Sequence, residues 1–202
     1  MTSDEFLAVV GLGERPGVEF KNARSRKDRN VSEVIRAVIG MANRRDGGMV
    51  IVGVKDDGEI QGLTPEQVAS WEKADDVRQT IAPYVDPHAY VDVAVISLPG
   101  APTLRCVVLQ VQEFDQVPVL CAKSATDLKG ETVLRQGACY VRSRQLPSTT
   151  EIADHAQFRE LLDLAIDKGV REFVRRSRSA GLEADNTTDQ DRFRAQRESA
   201  FK

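Results

Sequence analysis

Hydrophobic residues recur at helical spacing in the segment that follows Asn30. This periodicity predicts a helix over about 31–44, capped by Asn30 or Ser32 and ending before the pair Gly47-Gly48. Such a glycine pair allows the chain to turn sharply from the helix into a strand. The apolar positions that define the helix are Val31, Val34, Ile35, Val38, Ile39 and Ala42.

Alternating or continuous apolar runs predict the strands. Residues 49–54 form a short, continuous apolar run rich in β-branched residues, which is typical of a buried strand. Residues 18–21 alternate between apolar and charged side chains, which also predicts a strand. Residues 90–98 and 104–112 are separated by turn residues, so they should be antiparallel neighbours. Shorter strands are expected at 117–122, 132–135 and 139–142.

Together these elements predict an α/β (α+β) fold with a mixed sheet of about six strands. The flanking helices are expected near 31–44, 64–81 and 150–166, and Val34, Ile35, Val38, Val50, Val52 and Leu109 should be buried. We expect one domain over 1–166 and a charged, helical or partly disordered extension over 167–202.

Composition restricts the class of protein and its compartment. The chain has 202 residues, 41% of them hydrophobic, and no apolar run long enough to cross a bilayer or to serve as a signal peptide, so a cytoplasmic protein is expected. Cys106, Cys121 and Cys139 form no C-x-x-C pair and should be reduced residues of the core. The net charge is −3, yet residues 21–45 carry eight Lys or Arg against Asp28 and Glu33, which predicts a local basic patch.

Two acids and a lysine should meet on the first strand. Glu19 and Lys21 share one strand face, and a turn at Pro16-Gly17 could fold Glu14 back beside Glu19. Close carboxylates repel unless a proton or a divalent cation lies between them. The alternative for Glu19 and Lys21 is an exposed strand face with a surface ion pair. Asp57-Gly58 can likewise be explained without a functional role, as a type I′ turn.

Several segments in a fixed order resemble the Schlafen AlbA_2 family. The resemblance rests on Gly13-Glu14, Val18-Glu19-Phe20-Lys21, the helix end at 39–43, the stretch 46–54, Asp56-Asp57-Gly58 and the segment 60–63. Residues 140–143, followed by 148–150 and a helix, are similar to the closing part of the family domain. The resemblance covers about residues 5–165.

The resemblance implies a nucleic-acid-binding α/β domain and a metal-dependent endoribonuclease that cleaves structured RNA such as tRNA. Its three acids would be Glu14, Glu19 and Asp57, with Asp56 as the alternative third acid, and they would hold Mg²⁺ or Mn²⁺. Lys21 would contact the scissile phosphate. RNA is the favoured ligand and DNA the alternative. The flanking backbone would be bound by Arg24, Arg26, Lys27, Arg29, Arg44 and Arg45.

Two other functions are compatible with the same residues. Related bacterial domains serve as DNA-binding regulatory modules, for which cleavage is not implied. A protein-interaction role that uses the C-terminal helix is the third possibility. Because the family nucleases join two lobes and this chain has room for one, a homodimer is expected to complete the cationic surface.

Overall fold

The computed structural model describes residues 1–143 and 147–180. The chain divides into two compact units, Met1–Ala165 and Ile166–Lys202. In chain order, the helices are α1 (Ser3–Gly11), α2 (Val31–Ala42), α3 (Pro65–Trp71), α4 (Ala74–Ile81) and α5 (His155–Ser179), with a short 3-10 helix at Ala82–Tyr84. The strands are β1 (Val18–Lys21), β2 (Gly48–Val52), β3 (Val85–Asp86), β4 (Val91–Leu98), β5 (Ala101–Val111), β6 (Leu120–Cys121), β7 (Ala125–Thr126), β8 (Thr132–Leu134), β9 (Tyr140–Arg142) and β10 (Thr149–Glu151).

A four-stranded mixed sheet forms the centre of the first unit. Its strand order is β1-β2-β5-β4, in which β1 and β2 are parallel and the other neighbours are antiparallel. The mixed α/β fold and the antiparallel pairing of β4 with β5 are thus confirmed. The predicted sheet of six strands is wrong in size, because β3–β6, β7–β8 and β9–β10 form separate two-stranded pairs.

Helices cover both faces of the sheet. On one face α1 packs Phe6 against Phe20 and Ile51. On the other face α2 packs against β2 and β5, and all six residues predicted to be buried are buried there. The two side-chain faces of β1 therefore differ in their surroundings. Val18 and Phe20 lie on the face packed against α1, and Glu19 and Lys21 lie on the face toward α2.

The glycine pair at the end of α2 is required by close approach of the backbone. Gly47 has φ +64°, and a Cβ atom there would lie 2.1 Å from the carbonyl oxygen of Val111. A Cβ atom on Gly48 would lie 2.3 Å from the sulfur of Met41. The predicted sharp entry into β2 is confirmed, and it needs residues without side chains.

Two predicted helices differ from the observed ones. The helix expected over 64–81 is divided into α3 and α4, since Thr64 caps α3 with Gln67 and α3 ends at Trp71. The helix expected from residue 150 begins at His155, because Thr149–Glu151 pair with β9. A tertiary partner strand outweighs helical periodicity there.

The remaining expectations concern the membrane, the cysteines and the tail. Within 1–143 and 147–180, none of the helices combines the length and the apolar character that a membrane crossing requires. Cys106 and Cys121 are buried as expected, and Cys139 is half-buried. Of the expected C-terminal extension, residues 167–180 continue and end α5, and residues 181–202 lie outside the described part of the chain.

Candidate functional site

A tight turn folds Glu14 back onto β1. Arg15 and Val18 exchange two backbone hydrogen bonds of 3.1 and 2.9 Å, and the Arg15 guanidinium donates to the carbonyl oxygens of Val9 and Gly13. The returning Glu14 carboxylate then accepts a hydrogen bond of 2.6 Å from the backbone N–H of Phe20. The expected return of Glu14 to the strand that carries Glu19 is therefore observed.

Glu19 is a buried carboxylate held by two cations and a hydroxyl group. It is 4% exposed. Its Oε1 lies 2.6 Å from Nζ of Lys21, and its Oε2 lies 2.5 Å from Nη1 of Arg142. The Thr149 hydroxyl donates to Oε2 across 2.6 Å. The expectation of an exposed strand face is wrong for Glu19, because β9 and β10 cover it.

Arg142 was not foreseen as a site residue, and it is the main partner of Glu19. Its side chain is 1% exposed. The same guanidinium donates to the backbone carbonyls of Arg15, Pro16 and Val18, so it fastens the turn as well as the carboxylate. Burial lowers the pKa of Arg142, while Glu19 and then Glu14 oppose that change.

Gly40 makes room for this network in α2. A Cβ atom at Gly40 would lie 2.6 Å from the methyl carbon of Thr149, so any side chain would displace the hydroxyl that donates to Glu19. A lone arginine in the otherwise apolar strand 140–142 was the sequence feature that could have indicated a buried acidic partner.

Glu14 stands in a different environment from Glu19. Burial raises the pKa of Glu14, and the Phe20 N–H and Lys21 oppose that rise, whereas Glu19 and Asp56 add to it. Asp56 therefore belongs to the electrostatic surroundings of Glu14. We call Glu14, Glu19, Lys21 and Asp56 the acid cluster.

The structure places Asp57 in a turn. Its Oδ1 accepts a 2.9 Å hydrogen bond from the backbone N–H of Glu59, and Lys55 pairs with Glu59 beside it. This is the local bonding that an Asp-Gly turn predicts. Of the two aspartates that were considered for the third acid, Asp56 is the one grouped with Glu14.

The acid cluster does not fit a three-carboxylate metal site. In the part of the chain that the structure describes, no three His, Cys, Asp or Glu side chains lie close enough together to hold an ion. Both oxygens of Glu19 already contact cations of the protein itself. The donor set expected for Mg²⁺ or Mn²⁺, namely Glu14, Glu19 and Asp57, is thus not assembled.

Of the six arginines and lysines expected to bind nucleic acid, Arg24, Arg26 and Arg44 donate side-chain hydrogen bonds within the protein. Arg24 donates to Asn30 and Glu33, and the Trp71 indole donates to its backbone carbonyl. Arg26 donates to the Ser70 carbonyl oxygen at 2.5 Å and also bonds with Asp76 and Thr80. These contacts oppose the expected role of both side chains in binding a nucleic-acid backbone, since Arg24 holds its loop against the start of α2 and Arg26 holds the same loop against α3 and α4.

The third engaged cation, Arg44, closes the glycine turn. It donates to the carbonyl oxygens of Arg45 and Gly47 at 2.8 and 2.7 Å. Arg44 and Arg45 also line a cavity of about 620 Å³ together with Arg142 and Arg159. Three acids line the same cavity, so its wall carries both signs of charge: Asp154, Glu160 and Asp163.

The exposed cations of the predicted patch lie where α2 begins. Lys27 and Arg29 are exposed in the loop before the helix. The side-chain oxygen of Asn30 accepts a 3.3 Å hydrogen bond from the backbone N–H of Leu128, which brings the loop that carries the exposed Lys129 to the same end of α2. We call Lys27, Arg29 and Lys129 the cationic rim.

The chain is similar to one protein family in sequence and to solved structures in fold. A family model described as Schlafen, AlbA_2 matches residues 14–145. A solved structure from Corynebacterium diphtheriae is 21% identical with a TM-score of 0.47, and the match covers 74% of this chain and 25% of that one. The N-terminal domain of a RecG-related protein from Nitrosomonas europaea is 20% identical with a TM-score of 0.43, and the match covers 77% of this chain and 98% of that one. The chain thus spans about a quarter of the Corynebacterium protein, and no curated protein gave a significant match.

Proposed function

Because the chain belongs to the Schlafen AlbA_2 family, we propose that it binds nucleic acid through its exposed cations, while Lys21 and Arg142 neutralise the charge of Glu19. Membership of this family indicates a nucleic-acid-related role. RNA is the preferred ligand in this proposal, and duplex DNA is the alternative.

The pairing of Glu19 with Lys21 and Arg142 is the observation that carries the proposal. An uncompensated carboxylate near a phosphate-binding surface weakens binding by charge repulsion. Here two cations lie within 2.6 Å of the Glu19 oxygens, so the charge is compensated without a metal ion. The role that this arrangement supports for Glu19 is structural.

The cationic rim is the part of the surface proposed to contact phosphates. Lys27, Arg29 and Lys129 are exposed long side chains at one end of α2. Side chains of this kind bind the nucleic-acid backbone with little dependence on base sequence. Arg45, which is exposed at the other end of α2, is a further candidate contact.

Cleavage of structured RNA such as tRNA is the second candidate function. Glu14 favours it, since a half-buried acid with a raised pKa beside Lys21 suits proton transfer. In this proposal Glu14 exchanges the proton and Lys21 contacts the phosphate. The family resemblance adds Mg²⁺ or Mn²⁺, which the observed donor set does not fit.

The experiment is incubation of the full chain with labelled tRNA, single-stranded DNA and duplex DNA, each in EDTA and in Mn²⁺. Fluorescence anisotropy measures binding, and denaturing gels measure cleavage. Binding in EDTA with all three ligands intact is the expected result. Absence of binding at low salt would contradict the first proposal.

Cleavage of tRNA in EDTA as well as in Mn²⁺ would support the second proposal. Cleavage only in Mn²⁺ would show that a metal ion binds and would contradict the structural role of Glu19. The Glu14→Gln variant identifies a contaminating nuclease. The amide oxygen of this variant can still accept from the Phe20 N–H, so the fold is preserved while the proton-transfer group is removed. Unchanged cleavage by Glu14→Gln would assign the activity to a contaminant.

A further inference from the structure

Arg36 in α2 is a half-buried arginine whose guanidinium group has no partner among residues 1–143 and 147–180. The protein encloses its Nε atom, which lacks a hydrogen-bond acceptor. The two terminal nitrogens lack a partner among the same residues, but they are not enclosed and therefore reach the solvent. The stem of Arg36 is thus held by packing, and the end of the guanidinium group is presented at the surface.

The acids around α2 are already paired with other cations. α2 itself carries one carboxylate, Glu33, which lies 2.8 Å from Arg24. The described elements with which α2 makes its main contacts are β2, β5, β8, β9 and β10. Their one carboxylate is that of Glu151, which pairs with Arg135. Arg36 therefore keeps a positive charge that these elements do not compensate.

Arg36 lies on the side of α2 that faces β9 and β10. It is one helical turn before Gly40, whose Cβ position faces Thr149, and residues four apart share one side of a helix. Burial raises the pKa of Tyr140 in β9, and Arg36 is among the groups that oppose this rise, after the backbone N–H of Arg135. The guanidinium group consequently stands near the strand that also carries Arg142.

This position lies between the cationic rim and the acid cluster. Asn30, which holds the loop of Lys129 at the start of α2, is six residues before Arg36, or about 9 Å along the helix axis. In the other direction, Thr149 beside Gly40 donates to Glu19 of the acid cluster. Lys21 and Arg142 hold Glu19, so this carboxylate does not serve as a partner for Arg36.

We propose that Arg36 contacts a phosphate of bound nucleic acid and extends the binding surface from the cationic rim toward the acid cluster. This inference rests on the proposed nucleic-acid binding. A planar guanidinium group matches two phosphate oxygens, and a phosphate supplies the acceptors that the terminal nitrogens of Arg36 lack. Each strand of a duplex carries one phosphate for about 3.4 Å of its axis, so cations about 9 Å apart on α2 can contact phosphates of the same strand.

The substitution Arg36→Met separates binding from folding, because methionine keeps an unbranched apolar stem and removes the charge. The probe is whichever of labelled tRNA, single-stranded DNA and duplex DNA the wild-type full chain binds most tightly in EDTA at low salt. Arg36→Met should bind this probe about tenfold more weakly. The slope of log affinity against log salt should fall by about 0.7–0.9, which corresponds to one phosphate contact.

Stability gives a readout that a structural arginine would move in the opposite direction. The urea midpoint of Arg36→Met should equal or exceed that of the wild type, because the variant removes an enclosed N–H group without an acceptor. Arg36→Lys retains the charge without the planar group. It should therefore keep the wild-type salt slope and lose only part of the affinity.

The matched control is Arg78→Met, which makes the same change of residue type and net charge. Arg78 pairs with Asp75 of its own helix and with Asp92 of the edge strand β4, away from the proposed surface. This variant should bind the probe within about twofold of the wild type, since exposed charges at such a distance are screened by salt.

The outcomes distinguish this inference from the proposed function. A wild type that binds none of the three nucleic acids would contradict the proposed function, and this inference with it. Wild-type binding with an unchanged affinity and salt slope in Arg36→Met would overturn the inference alone. An equal loss of affinity in Arg78→Met would attribute the effect to net charge, and a lower urea midpoint of Arg36→Met would assign Arg36 to the fold. Either of these results would also overturn the inference.

Discussion

Arg142 lies 2.5 Å from Glu19 although 123 residues separate them in the chain. The pair joins the first strand of the central sheet to the separate β9–β10 pair, and Thr149 completes it from β10. A carboxylate expected to bind a metal ion is in this way part of the packing between two sheets.

The first prediction concerns the stability that this pair provides. Arg142→Ala should lower the free energy of unfolding by about 3–5 kcal/mol, because it leaves a buried carboxylate and several backbone carbonyls without their donor. Urea denaturation followed by circular dichroism measures the change. The control is Arg135→Ala, which removes the exposed partner of Glu151 and should change the free energy of unfolding far less, because solvent screens this ion pair. Equal effects in the two variants would show that burial adds nothing to the Glu19–Arg142 pair.

The second prediction concerns the glycine turn before β2. Gly47→Ala should destabilise the fold by more than about 3 kcal/mol, because it combines a positive φ with a Cβ atom 2.1 Å from the Val111 carbonyl oxygen. Gly137→Ala is the matched control. Gly137 has φ +81° and open space around its Cβ position, so that variant should cost only about 1–2 kcal/mol. Thermal unfolding of both variants in parallel would reveal a similar cost if the close contact were unimportant.

The third prediction separates structural cations from ligand-binding ones. Lys27→Ala and Arg29→Ala together should leave stability within about 0.5 kcal/mol of the wild type. The same pair of changes should reduce the slope of log affinity against log salt by up to about 1.8 for duplex DNA, which corresponds to about 0.9 for each lost phosphate contact. Anisotropy titrations between 50 and 200 mM salt, roughly, measure that slope.

Arg24→Ala is the counterpart of that double variant. It should destabilise the protein by about 2–3 kcal/mol, because Glu33 and the Asn30 carbonyl lose a buried donor. Its salt slope should match that of the wild type. A reduced slope for Arg24→Ala at full stability would restore the sequence-based assignment of Arg24 to the nucleic-acid interface.

The fourth prediction concerns the pH dependence caused by Glu14. Its pKa is raised above 4.5 in the folded protein, so below about pH 4.5 the carboxyl group is protonated in both folded and unfolded chains. Above that pH the unfolded chain loses its proton first, and the contribution of Glu14 to stability falls until the folded group ionises as well. Glu14→Gln should therefore gain stability relative to the wild type as pH rises from 4 to 7.

Urea denaturation at several pH values measures this difference. The control is Glu131→Gln, which also removes one negative charge but at an exposed loop position. The stability difference between this variant and the wild type should change little over the same range. A constant difference between Glu14→Gln and the wild type would show that Glu14 titrates in the folded protein as it does in the unfolded chain.

Local pattern determined much of the fold. Val34, Ile35 and Val38 follow the helical period, and the β-branched run 49–54 indicates a strand, because burial of one face imposes a period on the sequence. The turn at Pro16-Gly17 and the glycines before β2 could also be predicted from sequence, because backbone geometry restricts which residues can occupy such turns.

Tertiary structure alone decided the state of Glu19 and of the arginines around it. Sequence places Glu19 and Lys21 on one strand face, but whether that face meets solvent, a metal ion or another strand depends on Arg142 and Thr149 far along the chain. Likewise Arg24 and Lys27 are three residues apart in one basic run, yet one is buried and the other exposed. Charge is visible in sequence, whereas its neutralisation depends on distances of a few ångströms that only the folded chain sets.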